Sequence, residues 1–475
     1  MLSDVRHQVR RRWRGWGAWA TFLLACLTIG AVGGRHSTGY ILPLMVGGAF
    51  VGLAVVAPRL CLLATVAVAP FSFRYFLLNR AELDMPTEPL VAALVGAYAL
   101  DRAVGYATRS TPERNPFRWP LLFFAAATML SASQASAPFE SVKGAVRATA
   151  YILLPFPGYL ALRDIRCFRR VVVVATVSGL AAALIMSALL IPHVGQIGHS
   201  SAYAGTLFGN YMTYGAYLTL FILPLLSLLL FDGDAGRQSV LLLLLAAFVG
   251  ALLLCHSRGA WISLAAGLGF LLMLRSDFGS RRKWAVLGAV AAAGALVLLI
   301  PGVRAAILAR ALTTFDPDFA SNKTRLLRWG FAFLMFVQNP ILGAGHGMFS
   351  RTYVNASFVG DIGRFQMGAH NEYVQVLAEL GAVGLFGWMW LLVAFYVYGF
   401  RLLRRVKQPY WYALGAGIMA VQTAANVHNL VGNFMAGGSW SVPFWLAFAA
   451  LAAIGHITAR ADGGEQAPAA TEDTG

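Results

Sequence analysis

The sequence predicts an all-α polytopic membrane protein of about 14 transmembrane helices, with a large polar loop carrying short amphipathic helices. Three observations lead there. First, 58% of the residues are hydrophobic and only 12% are charged, and the mean hydropathy is +0.66; a soluble domain carries about 25% charged residues. Second, apolar runs of about 18 or more residues recur along the chain, long enough to cross a bilayer as helices. Such spans must satisfy their own backbone hydrogen bonds, and the alternating pattern of a membrane barrel is absent. Third, the polar residues gather between the runs, above all in one stretch, 302–370.

In chain order, spans are expected at 16–33, 40–57, 60–76, 88–105, 119–135, 145–162, 171–192, 207–231, 239–256, 259–274, 284–300, 372–399, 410–430 and 438–457. Pairs such as 239–256 and 259–274 are tight hairpins, so twelve spans is the alternative. Arg10-Arg11-Arg12 before an apolar run resembles a signal peptide; without a convincing cleavage site, the run reads as a retained first helix. Residues 1–301 are thus expected to hold the first eleven spans and 302–371 the polar loop. The last three spans occupy 372–457, and 458–475 form a disordered cytoplasmic tail.

The formal charge of +17 is largely a topological signal and does not point to nucleic acid. With the N-terminus inside, the inner segments hold 24 Lys and Arg and the outer segments 13, seven of them in the 302–370 stretch. Long loops cross regardless of charge, so the comparison is 24 inside against 6 outside. Both termini are then cytoplasmic and the long loop lies outside, which in a bacterial inner membrane is the periplasm. Cys26, Cys61, Cys167 and Cys255 lie in or beside apolar runs and suggest neither a disulfide framework nor a metal site.

The loop has structure of its own. Arg304–Leu312 reads as a short amphipathic helix and Asp316-Pro317-Asp318 as a turn. From Asn322 to Val337, the residues Leu326, Leu327, Trp329, Phe331, Phe333, Leu334 and Phe336 suit an interfacial helix. Asn339-Pro340 ends it, and Gly343–Gly347 reads as a flexible turn.

Several side chains could carry chemistry. His370 precedes a helix start, where the positive end of the helix dipole disfavours an imidazolium and leaves a neutral ring able to accept a proton. The bland alternative is a capping or buried structural histidine. Arg258, in a tight hairpin, is either a bidentate phosphate clamp or a snorkelling anchor. Arg325 and Arg328 share a helix face with Lys323 nearby, as an anion site or as headgroup anchors. Arg147 opens a span from the outer side and is evenly balanced; Arg74 and Arg80 are weaker candidates. Glu379 is nine residues from His370, half a turn out of phase, so the two cannot form a simple dyad and Glu379 reads as structural. Asn426, His428, Asn429 and Asn433 either line a sugar cavity or bond between helices. No HExxH, Walker A or EF-hand motif is present, and His199, His346 and His370 lack the spacing of a metal site, so the expected reaction uses no metal and no cofactor.

Three segments carry a family resemblance: Arg325–Ala332, Gln338–Gly345 and His370–Gly381. Together with Ser257-Arg258-Gly259-Ala260-Trp261 they resemble the O-antigen ligase and polymerase superfamily of bacterial inner-membrane glycosyltransferases. The resemblance implies a glycan donor on undecaprenyl diphosphate and, for a ligase, lipid A–core oligosaccharide as acceptor in lipopolysaccharide biosynthesis. It puts the family's histidine on His370, its loop arginine on Arg325 and its hairpin arginine on Arg258, with Arg147 a looser match. On that pattern His370 is the general base; Arg258, Arg325, Arg328 and Arg147 hold the diphosphate; and Asn371, Tyr373, His428 and Asn429 are candidate acceptor or sugar contacts. Arg304, Arg310, Arg351 and Arg364 are left as headgroup or acceptor contacts. An O-antigen polymerase or a pilin-glycosylating ligase would use the same donor. A transporter is the rival of another class, disfavoured by the missing inverted repeat and by polar groups gathered at one face.

Overall fold

The structure is a computed structural model that describes residues 41–77, 81–105, 115–193, 207–232, 234–274, 318–355, 368–433 and 438–462 continuously, with scattered positions between 284 and 316. The helices are α1 (Ile41–Val56), α2 (Pro58–Val68), α3 (Thr87–Gly105), α4 (Arg118–Ser131), α5 (Pro138–Leu153), α6 (Pro155–Leu162), α7 (Ile165–Leu190), α8 (Tyr211–Phe231), α9 (Ala235–Cys255) and α10 (Arg258–Leu274). After them come α11 (Ala320–Gln338), α12 (Met348–Asn355), α13 (Glu372–Arg405), α14 (Pro409–His428) and α15 (Gly438–Asp462). Among the described residues, six helical stretches are long and apolar enough to span a membrane: Pro138–Leu162, Ile165–His193, Tyr211–Phe231, Gly236–Cys255, Glu372–Arg405 and Ser439–Ala461. Gly47–Val56, Pro58–Phe71 and Arg258–Leu274 are shorter apolar helices. The all-α membrane architecture follows; the expected first span, 16–33, lies outside the described residues.

Several boundaries differ from the sequence reading. Residues 60–76 do not form one span: α2 ends at Val68, and Phe73–Leu77 pairs antiparallel with Ala81–Met85 as a β-hairpin, β1–β2. The helix expected at 145 begins at Pro138, so Arg147 sits inside α5 and does not open it. Helix α15 continues to Asp462, and the expected tail is helical for its first five residues, 458–462.

The helix ends sort onto two faces. On one, the Cys255 thiol donates to the Tyr211 carbonyl at 3.0 Å, Glu372 N–H donates to the Asn429 carbonyl at 2.8 Å, and a methyl group added at Gly259 would meet His428 Nε2 at 2.7 Å. The starts of α8, α10 and α13 and the end of α14 therefore converge. On the other, Arg59 pairs with Asp164 at 2.6 Å, Arg163 Nε donates to His456 Nε2 at 3.2 Å, and the Arg237 guanidinium lies 5.4 Å from the Tyr410 ring centre. Between the faces lies an apolar core that includes Trp388, Trp440, Trp445, Phe395, Phe444 and Phe448. A satellite core of Ala332, Met335, Phe349, Ala369 and Ala378 joins α11, α12 and the start of α13 on the first face.

Helix α13 is broken at Gly381, whose φ of 66° and ψ of −164° are non-helical. In an unbroken helix Ala382 and Val383 would donate to the carbonyls of Ala378 and Glu379. Here the segment after α11 takes both halves of the exchange. Ala344 and Gly345 N–H donate to those carbonyls at 2.9 and 3.0 Å, while Ala382 and Val383 N–H donate to the carbonyls of Pro340 and Ile341 at 2.9 and 3.2 Å. These four backbone groups thus keep partners across the break, as burial requires. Gly343–Gly347, expected to be a flexible turn, is instead docked, with Gly343 buried at a φ of 73° against the backbone of Glu379 and Leu380. Gly343→Ala would set a methyl group into that backbone and strain a left-handed residue; we expect a loss of more than about 1–3 kcal/mol. Thermal unfolding in detergent would register it, and an unchanged melting temperature would refute the close docking.

Candidate functional site

The residues singled out around His370 come together on the first face. Asn371 is the N-cap of α13, its side chain accepting from Val374 N–H at 3.2 Å. This leaves His370 just outside the helix, in the left-handed region with a φ of 55°. The preceding backbone is held by α11: Arg328 Nη1 donates to the Gly368 carbonyl at 3.3 Å and Trp329 Nε1 to the Ala369 carbonyl at 3.1 Å. The pairing arises because Arg328 and Trp329 sit on the face of α11 that turns inward, Arg328 being only 4% exposed. Leu326, Leu327, Phe333, Leu334 and Val337 of the same helix are exposed, as a membrane-facing surface requires.

Three guanidinium groups share this neighbourhood. Burial lowers the pKa of Arg325 from its ordinary value, partly offset by Tyr211, and the charges of Arg258 and Arg328 lower it further. Arg325 donates to Asn322 Oδ1 at 3.4 Å and weakly to Met212 Sδ at 4.0 Å. Among the described residues no carboxylate pairs with it, and its buried Nε has no hydrogen-bond partner. Arg258 lies over the Phe319 ring, 5.2 Å from its centre. Arg325 is also close enough to act electrostatically on the buried His428. A crowded set of buried and half-buried cations is destabilised by itself and relieved by an anion, so the arrangement is suited to an anionic group.

The same surroundings act on His370. Burial, then Arg328 and Arg325, lower its pKa from 6.5 to about 4. The ring is therefore neutral at pH 7 and can accept a proton. His346, in the docked turn, is likewise lowered to about 4, by burial and then by Arg147. Both rings resist protonation in the fold while the unfolded chain takes up protons near 6.5, so the stability these two rings contribute falls as pH drops from about 6.5 to 4 and levels off below. Melting temperatures across that window isolate this contribution by difference: relative to wild type, the double variant His346→Gln with His370→Asn should lose less stability between about pH 6.5 and 4.

Other expected site residues are placed differently. Arg147 does not join the three arginines: it pairs with Asp84 at 3.0 Å and with the buried Glu88, so carboxylates already answer its charge. The Tyr373 hydroxyl donates to the Asn426 carbonyl at 3.2 Å, and the Asn371 side chain is used by the cap. Asn429 is fully buried with both side-chain amide atoms lacking a hydrogen-bond partner among the described residues, and Asn433 Nδ2 donates to Glu372 at 3.4 Å. Arg304 and Arg351 are exposed; Arg310 and Arg364 lie outside the described residues. Among the described residues, no three His, Cys, Asp or Glu side chains converge as a metal site would need.

Glu379 is structural, as its spacing suggested. Only 3% exposed, it accepts from Gly347 N–H at 2.8 Å and Phe349 N–H at 3.0 Å, at the N-terminus of α12. The hold of Trp329 on Ala369 and the bridging Gln375, which links Ala369 to Glu379, were not anticipated. Gln375, one turn of helix before Glu379, was the available signal.

No curated protein matches the chain significantly. A family model does match, over a segment that contains Arg258, Arg325, Arg328, His370 and Glu379 and leaves out Arg147, His428 and Asn429. Residues 241–389 fit the model described as O-antigen ligase, so over that segment the chain is similar to the O-antigen ligase family.

Proposed function

We infer that the protein is an O-antigen ligase that moves a glycan from undecaprenyl diphosphate onto a sugar hydroxyl of lipid A–core, at the periplasmic face of the bacterial inner membrane. The observation that carries this reading is the convergence of Arg258, Arg325 and Arg328 beside a neutral His370, with Arg325 unanswered by any described carboxylate. The diphosphate lies among the arginines and the polyprenyl chain along the exposed apolar face of α11. A ring nitrogen of His370 takes the proton of the acceptor hydroxyl as its oxygen bonds to the anomeric carbon. The bond from that carbon to the diphosphate breaks, and the electron pair leaves on the diphosphate oxygen. A single displacement inverts the anomeric centre. Arginine charge, fixed before the reaction, meets the charge that grows on the leaving group, so no metal is required in that role.

A base with a pKa of about 4 is weak, and part of that lowering comes from the charges of Arg328 and Arg325. A bound diphosphate offsets Arg328 and Arg325, which raises the His370 pKa toward the working pH, where proton transfer is more effective. The acid limb of kcat/KM, which reports the free enzyme, should therefore lie near pH 4, and the limb of kcat higher. A kcat/KM limb at 6.5 would remove His370 as the group observed.

The deciding experiment combines purified protein, undecaprenyl-diphosphate-linked glycan and lipid A–core in detergent, with and without a chelator. Glycosylated lipid A–core is expected in both. Extension of the lipid-linked glycan instead would make the protein a polymerase, and no new bond with either acceptor would refute transferase activity.

A further inference from the structure

The break at Gly381 leaves the first nine residues of α13, Glu372–Leu380, as a short helix of its own, with His370 at its entrance. Only part of its setting comes from the main core, through Val376 and Leu380. Its other face belongs to the satellite core, where Ala378 and Val374 pack with Ala369, Phe349 and Met335. The link between that face and His370 is polar and continuous. Glu379 binds the two backbone N–H groups at the start of α12. Gln375, one turn earlier, donates from Nε2 to Glu379 Oε1 at 3.4 Å. The Oε1 of the same Gln375 accepts from Ala369 N–H at 3.0 Å, one residue before His370. The turn bearing Gly347 is anchored from the far side, where Ser141 of α5 donates to the His346 carbonyl at 2.8 Å.

We propose that Glu379 and Gln375 are positioning residues for His370: the docked turn 343–349 fixes Glu379, Glu379 orients Gln375, and Gln375 holds the left-handed backbone that aims the imidazole. The carboxylate is suited to the first step because both of its oxygens face backbone donors. The amide is suited to the second because it donates at one end and accepts at the other. Neither residue touches the substrate on this reading. The proposal rests on His370 acting in the reaction, but its structural half can be tested without that premise.

Two variants test it in the full-length protein purified in detergent. Glu379→Gln presents an amide NH2 to backbone N–H groups and loses at least one bond. Gln375→Met keeps the shape and removes both links. For each we expect kcat per folded molecule to fall between about tenfold and a hundredfold, as a misaimed catalytic group does. KM for the lipid-linked donor should stay within about twofold, since the arginines are untouched. The rate at which diethyl pyrocarbonate modifies His370, read by mass spectrometry, should also change in both. If Glu379→Gln does not fold, Gln375→Met decides alone. Unchanged kcat in Gln375→Met, or an unchanged His370 modification rate, would overturn the relay. Should His370 itself prove dispensable for transfer, the modification rate still reports on the positioning, and the two failures stay distinct.

Discussion

His370→Asn is expected to reduce glycan transfer by about 10²–10⁴-fold, the range lost with a general base, while leaving donor affinity largely intact. Asparagine is the better probe here than alanine. His370 sits at a φ of 55°, a region that asparagine tolerates and alanine resists, so the backbone should survive the change. His370→Ala should be at least as inactive, with an added loss of stability from the strained backbone. The measurement is initial rate at matched folded protein, with saturating lipid-linked donor. Transfer at the wild-type rate in His370→Asn would end the assignment of the base.

Arg325→Ala should lower turnover by about 10²–10³-fold, the loss seen when one preorganised donor to a developing charge is removed. Arg325→Lys should recover little of it. A lysine supplies a point charge but not the planar fork that holds two phosphate oxygens at once. The position is sensitive because the guanidinium is half-buried with no described carboxylate partner, so its charge is available to substrate. Arg258 and Arg328 act on the same group, so double variants with Arg325 should be less than additive. Arg147→Ala offers the contrast: with its charge answered by Asp84 and Glu88, its loss should appear first as instability. Turnover in Arg325→Ala equal to wild type would refute the leaving-group role.

Much of the fold was legible in the chain because hydropathy is a local property. Apolar runs marked α8 at 207–231, α10 at 259–274 and α14 at 410–430 to within a few residues of their observed bounds. The helix expected over 322–337 appears as Ala320–Gln338, ended by Asn339-Pro340. The hairpin at Phe73–Met85 was missed because its strands are short and adjoin an apolar run that reads as one helix. Chain order and residue type also sufficed to single out His370, Arg325 and Arg258, and the family match spans all three.

What the sequence could not decide is which polar groups meet. Arg147 and Arg325 look alike as arginines near apolar helices, yet one is bound by two carboxylates from elsewhere in the chain and the other is not. Nor does any local pattern reveal that the carbonyls of Ala378 and Glu379 bond to a segment more than thirty residues earlier. That exchange is possible only where two stretches of backbone approach closely, which Gly343 and Gly381 permit and their neighbours enforce. The sequence by itself determined a membrane-embedded helical chain with a basic loop and a histidine at a helix start. Tertiary structure alone decided that the helix is broken, that one face of its first turns joins a separate small core, and that Arg325 and Arg328 lie near that histidine with Arg258 near Arg325. Burial and charge proximity are set by packing among distant residues, and no local pattern encodes them.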